Sequence, residues 1–167
     1  MTTFFRAFRR YLPFAGLLVL ALPASAEDAV PNNFALLDSL KKVVDAFNRQ
    51  EMKLPADVFA AHCSITDVVS PYSWTGPGAA EAWYQRLVGA TPAEQQQFRD
   101  AKKHLMLADP RYVRADGDHV YFVIEGTLSY ADHDTGHRTI GLWTVTETRA
   151  GERWLIESLA WGILRES

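Results

Sequence analysis

The chain has few means of covalent stapling. It carries one cysteine, Cys63, in 167 residues, so no disulfide can form within it. The neighbouring His62 suggests a thiol–imidazole pair, but adjacent side chains point in different directions on a helix or strand, and Cys63 reads as a small buried residue. No run of lysine and arginine interleaved with aromatics occurs, and the formal net charge is −3. That argues against nucleic acid and anionic lipid surfaces as partners, because both recruit basic patches. No apolar run reaches the ~20 residues of a membrane-spanning helix. Internal repeats and low-complexity tracts are missing, and no nucleophile-elbow glycine pattern surrounds Ser129 or Ser158. Only Asp132-His133-Asp134-Thr135-Gly136-His137 concentrates ligand-type side chains. Its composition is that of an exposed hairpin loop, and no second cluster completes a metal shell, so neither a metal nor a cofactor is expected.

What apolar run there is lies near the start. Phe14 to Leu22 follows Arg6, Arg9 and Arg10, with no acidic residue, and Pro23-Ala24-Ser25-Ala26 ends it in small residues. This is the layout of a secretory signal peptide over residues 1–26, cut after Ala26, which leaves Glu27 first and no stable membrane anchor. Arg9-Arg10 suits the twin-arginine route and Pro13 does not, so the route stays open. Cleavage takes three of the 17 basic residues and none of the 20 acidic ones, leaving 14 against 20 and a net charge of −6. An exported protein, periplasmic or secreted, of single-domain size is the expectation.

Residues 27–33 are polar and proline-broken, and read as a disordered start. From Phe34 to Arg49, Leu36, Leu37, Leu40, Val43, Val44 and Phe47 fall at helical spacing. Pro55 predicts a second, short helix through Val58, Phe59 and Ala60. Ser64 to Val69 predicts a β-branched strand, and Ser70 to Gly78 a turn around a very short strand at Ser73-Trp74-Thr75. Ala79 to Val88 predicts a third helix. Thr91, Pro92 and Glu94 make the start signature of a fourth, running toward His104. The period then changes. His104 to Val113, His119 to Tyr130, Arg138 to Arg149 and Arg153 to Leu164 predict strands joined by short turns, hence antiparallel neighbours in an α+β domain.

Within Phe59 to Gln85 one carboxylate, Asp67, ends the β-branched run. Apolar and aromatic residues surround it, where an acid's pKa is driven upward. The order Phe59, Cys63, Ile65, Asp67, Pro71, Gly76, Trp83, Tyr84 resembles the ketosteroid isomerase and SnoaL-like polyketide cyclase branch of the nuclear transport factor 2-like superfamily. The resemblance implies a cone-shaped α+β barrel over residues 34–167, with three to four N-terminal helices packed in a strongly curved antiparallel sheet around a deep pocket. It implies that Asp67 is the proton-shuttling carboxylate and that Trp83, Tyr84 and Trp161 line or support the pocket. Trp74 and Trp143 join them as candidate ligand contacts. The isomerases polarise the substrate carbonyl with a tyrosine on the first helix and a protonated aspartate on the penultimate strand. Here those regions read Val43, Val44, Phe47 and Ile140-Gly141-Leu142-Trp143. Such donors are worth about 10²–10³ in rate each, so ketosteroid isomerase activity itself is not expected. Substitute donors would be the Tyr84 hydroxyl, an indole N–H or His104.

Each reading has a plainer rival. An aspartate before a turn commonly bonds local backbone N–H groups. His104, the second candidate acid or base, also suits the C-terminus of a helix, where the dipole favours it. The preferred function is binding of a small apolar organic molecule, with acid–base isomerisation or cyclisation of a carbonyl compound by Asp67. The alternative is a non-catalytic ligand-binding or association module. A homodimer through the outer sheet face is expected, because Tyr121, Val123 and Thr127 are more apolar than a solvated face requires.

Overall fold

A computed structural model describes residues 36–132 and 135–167. The leader, residues 27–33, the Phe34 start of the first helix, and His133 and Asp134 lie outside the described residues.

Helix α1 (Asp38–Asn48) buries Leu40, Val43, Val44 and Phe47 along one stripe. It stops where Gln50 takes a left-handed conformation at φ 58°. The short helix expected from Pro55 does not form. Asp57 turns the chain at φ 58°, and strand β1 (Phe59–Thr66) begins earlier than the expected Ser64. The reason is tertiary. The Val58 carbonyl accepts the Ile156 N–H at 2.9 Å and Phe59 pairs with Ile156, so sheet pairing overrides the local helix preference of Ala60 and Ala61. The short strand β2 (Ser73–Gly76) and helix α2 (Ala79–Val88) lie where the sequence puts them.

Helix α3 (Pro92–Asp100) opens with a reciprocal capping box. The Glu94 N–H donates to Thr91 Oγ1 at 3.3 Å, and the Thr91 N–H donates to Glu94 Oε2 at 2.9 Å. The helix ends at Asp100, before a left-handed turn at Lys102 (φ 46°), and not at His104.

Strands β3 (His104–Asp116), β4 (His119–Asp132), β5 (Thr135–Ala150) and β6 (Arg153–Glu166) form the expected meander. The six-stranded sheet has the order β2-β1-β6-β5-β4-β3. It is mixed where the sequence reading expected antiparallel pairing throughout, because β1 runs parallel to β6, with Ile65 opposite Leu159. Two helices and the meander separate these strands in sequence, so a crossover replaces a hairpin. The sheet does not close on itself, and β2 and β3 are its edges. Its inner face, including Phe122, Ile124, Val145, Ile156 and Leu159, packs with α1, Trp83 and Val88 into one core. The end of α1 is clamped to the start of β3. The Asn48 amide donates to the Leu105 carbonyl and accepts the Leu105 N–H, both at 2.8 Å.

Candidate active site

Asp67 sits where β1 turns toward β2. Its N–H donates to the Tyr72 carbonyl at 3.1 Å, and the Tyr72 N–H donates to the Val69 carbonyl at 2.7 Å, so the turn is closed on itself. Tyr72 takes φ 73° and the Ser70–Pro71 bond is cis. The Asp67 side chain is turned into the core, where it is 6% exposed. The Trp83 indole N–H donates to Asp67 Oδ2 at 2.9 Å, and the Val69 N–H reaches Oδ1 at 3.4 Å. The local backbone role of a turn aspartate is therefore present but long. The shorter bond spans sixteen residues to α2. Burial pushes the Asp67 carboxyl above its usual range, and the indole and amide bonds pull against that rise.

Asp67 lines a cavity of about 190 Å³ enclosed by α1, α2 and the inner sheet face. Its wall includes Val44 and Phe47 of α1, Trp83 and Tyr84 of α2, and Trp143 and Trp161 of the sheet. The indoles of Trp143 and Trp161 lie 5.0 Å apart by ring centroid, and Trp83 meets Trp143 edge-on at 6.4 Å. Two glycines make that floor possible. A Cβ on Gly141 would lie 2.5 Å from the Trp161 ring, and one on Gly126 would lie 2.7 Å from Trp143 Nε1. Gly126 and Gly141 are paired across β4 and β5, so a patch without side chains lets both indoles lie against the sheet.

The donor question resolves geometrically. The Tyr84 hydroxyl is already spent on the Glu51 carbonyl at 3.0 Å, and burial pushes it up to about 12. The Trp83 N–H is held by Asp67. His104 does not reach the cavity. Leu105 points inward on β3, and His104, one position before it, is exposed on the other side. The buried Trp143 N–H has no partner among the described residues. It is the one indole donor of the cavity wall known to be buried and unused.

Of the candidate contacts, Trp83, Tyr84, Trp143 and Trp161 line the cavity together with Asp67. Trp74 does not. It is half-buried on the edge strand β2, packed against the core beside the Ile65 register. Two cationic residues that the sequence reading did not single out, Arg86 and Lys103, also line it. Nothing in their local sequence marks them, since Lys102-Lys103-His104 reads as a basic helix end. Gly126 and Gly141 did carry a signal, because an isolated glycine inside a strand marks close approach of another group. Among the described residues no group of three or more histidine, cysteine, aspartate or glutamate side chains is placed to hold a metal ion. Cys63 is buried, and burial raises its thiol, as befits an inert packing residue.

No family model and no curated protein sequence matches the chain. Solved structures do. An NTF2-like protein with a cystatin-like fold from Novosphingobium aromaticivorans superposes with a TM-score of 0.63 at 11% identity, over 78% of this chain and 80% of that one. The fold is nuclear transport factor 2-like. A candidate scytalone dehydratase from the same organism aligns at 0.62 and 7% identity, covering 80% of this chain and 85% of that one. The hexachlorocyclohexane dehydrochlorinase LinA-type3 from Novosphingobium barchaimii aligns at 0.62 and 11% identity, covering 80% and 87%. At these identities the likeness speaks to the nuclear transport factor 2-like fold alone.

Proposed function

We propose that the cavity binds a small, largely apolar organic molecule and that Asp67 moves a proton to or from one of its carbons. The observation that carries this reading is the buried Asp67 carboxyl, raised by desolvation and held by Trp83, at the wall of a cavity lined mainly by apolar and aromatic side chains. A carboxylate of raised pKa accepts a proton from a carbon acid near neutral pH more readily than an ordinary one. For a carbonyl compound the charge that develops on oxygen needs a donor, and the Trp143 N–H, buried against Gly126, would have to turn out of the sheet floor to supply it. Isomerisation or aldol-type cyclisation fits a carboxylate in this setting. Dehydration and dehydrochlorination, named for two proteins of like fold, also remove a proton from carbon.

The test is deuterium exchange at the acidic carbons of small cyclic ketones in D₂O, followed by NMR. The protein should accelerate exchange, and Asp67→Asn should lower the acceleration about 10²–10⁴-fold while ketone binding persists. Equal exchange by the variant, or binding without any exchange, overturns the reading.

An association role has support of its own. Met106, Tyr112 and Tyr121 are exposed on the outer face of β3 and β4, and the two tyrosine rings lie 6.1 Å apart. We propose that a homodimer forms through this face. Thr127, expected to help form it, is 8% exposed and offers this face little surface. A monomer in sedimentation at micromolar concentration would end that proposal. Export is the third part of the reading and rests on the leader-type composition of residues 1–26. Mature protein recovered outside the cytoplasm should begin at Glu27.

A further inference from the structure

Beside the cavity lies a wider groove of about 960 Å³ along α3 and the end of β4. Val69, Arg86, Leu87 and Lys103 line both spaces, so they mark the place where the two meet. Two apolar and two cationic side chains thus form the mouth.

The cations are not equivalent. Arg86 is partly engaged, its Nε donating to the Ser70 carbonyl at 3.1 Å and its guanidinium lying 3.8 Å from Glu94. Lys103 is half-buried and, among the described residues, no carboxylate comes within ion-pair distance of it. Its ammonium lies 5.7 Å from the centre of the Phe98 ring, and burial alone depresses it. Lys103 is held there by structure on both sides, the left-handed turn at Lys102 before it and the Asn48 clamp on Leu105 after it. A partly desolvated ammonium without a counter-ion is unfavourable, and an anion arriving with the ligand removes that cost.

Charge and size narrow the class. The groove and mouth present Arg86, Lys102 and Lys103 against Glu94 and Asp100, an excess of one positive charge. An apolar cavity of about 150 Å³ accommodates benzene, so the 190 Å³ here suits a single ring with a short side chain. We propose that the natural ligand is a small aromatic or alicyclic monocarboxylate, its ring among Trp83, Trp143 and Trp161 and its carboxylate at the mouth on Lys103, assisted by Arg86. The inference rests on the ligand-cavity reading of Asp67 and adds a fixed orientation to it. The carboxylate end stays at the mouth and the carbons beyond it enter toward Asp67.

The experiment titrates the cleaved, folded protein with 3-phenylpropionate and with its neutral analogue 3-phenylpropanamide, using tryptophan fluorescence and calorimetry. The carboxylate should bind at least about tenfold more tightly than the amide. Lys103→Met should abolish that preference and leave amide affinity within about twofold, while Asp67→Asn should preserve the preference. Equal affinity for the two probes in the unmodified protein overturns the carboxylate proposal and leaves the cavity reading standing. So does a preference that survives Lys103→Met. Failure of both probes to bind overturns the cavity reading, and this inference with it.

Discussion

Asp67 and Glu147 are both buried carboxyls, 6% and 0% exposed, and burial raises both. Their surroundings differ in every other respect. Asp67 accepts from Trp83 and Val69 and borders open volume. Glu147 stands opposite Val120 on one side and Ile156 on the other. Both of its oxygens lack a partner among the described residues, and it lines none of the cavities described above. Desolvation, with Asp38 adding like-charge repulsion, pushes Glu147 up to about 8. A raised acid is therefore not a site by itself. What distinguishes Asp67 is that partners hold its orientation and a ligand-sized space lies before it, whereas Glu147 has only the cost of burial.

The comparison breaks first, and with the largest expected effect, at Glu147. A carboxyl raised in the folded protein keeps its proton after the unfolded chain has lost its own, so folding stability falls as pH rises. The window runs from the ordinary value of 4.5 to about 8, with the penalty absent below it and fully present above it. Glu147→Met should stabilise the protein by about 2–4 kcal/mol at pH 9, and by less at pH 5, where the carboxyl is neutral. Urea unfolding at the two pH values reads this directly. A variant less stable than the parent at pH 9 would mean that Glu147 has a partner and belongs with Asp67.

Next in size is the floor of the cavity. Gly141→Ala places a Cβ 2.5 Å from the Trp161 ring and 2.6 Å from the Gly162 carbonyl, and neither the backbone nor a packed indole yields easily. The expected cost is about 1–3 kcal/mol in stability. Displaced Trp161 should also fill part of the cavity and weaken binding of any ring-sized probe. Thermal unfolding with and without such a probe separates the two effects. At the Glu147 end the same change should leave the pH window where it is.

Much of this contrast follows from residue order, and some of it does not. Asp67, the Trp83–Tyr84 pair and Trp161 come from separate elements and meet at one cavity, and it is their order along the chain, which resembles a known pattern, that made the grouping legible. Thr91 to Glu94 announces its helix start because capping is a local hydrogen-bond exchange. Glu147 was legible in principle, since it falls in the apolar register of β5 with Trp143 and Val145. The Pro55 segment was not, because the strand start at Phe59 pairs with Ile156, about a hundred positions later. Lys103 and His104 illustrate the limit. One residue of offset at the end of α3 decides which of two neighbouring side chains enters the mouth, and helix ends are where sequence patterns are least determinate.

The smallest effect, and the sharpest, concerns the bond that separates the two acids. Trp83→Phe keeps an aromatic ring beside Asp67 but removes the indole N–H that donates to it at 2.9 Å. Two losses are then mixed. The smaller ring costs packing at every pH, whereas the lost bond matters most when the carboxyl is ionised, because bonds to charged groups are the stronger ones. The indole bond lowers the Asp67 pKa against the rise caused by burial, so its removal must raise that pKa further. Above the folded value of Asp67 the bond-dependent part should destabilise the variant by about 1–2 kcal/mol, and it should shrink as pH falls and the carboxyl takes up its proton. Stability profiles of parent and variant should therefore converge toward acid and diverge toward neutrality, leaving only the packing offset at low pH. NMR titration of Asp67 should show its midpoint moved upward, and any proton-transfer activity should lose its acidic limb at a correspondingly higher pH. Parallel profiles with an unmoved midpoint would mean that the indole merely packs against Asp67, and the two carboxyls would then differ only in the long Val69 bond and the space before them.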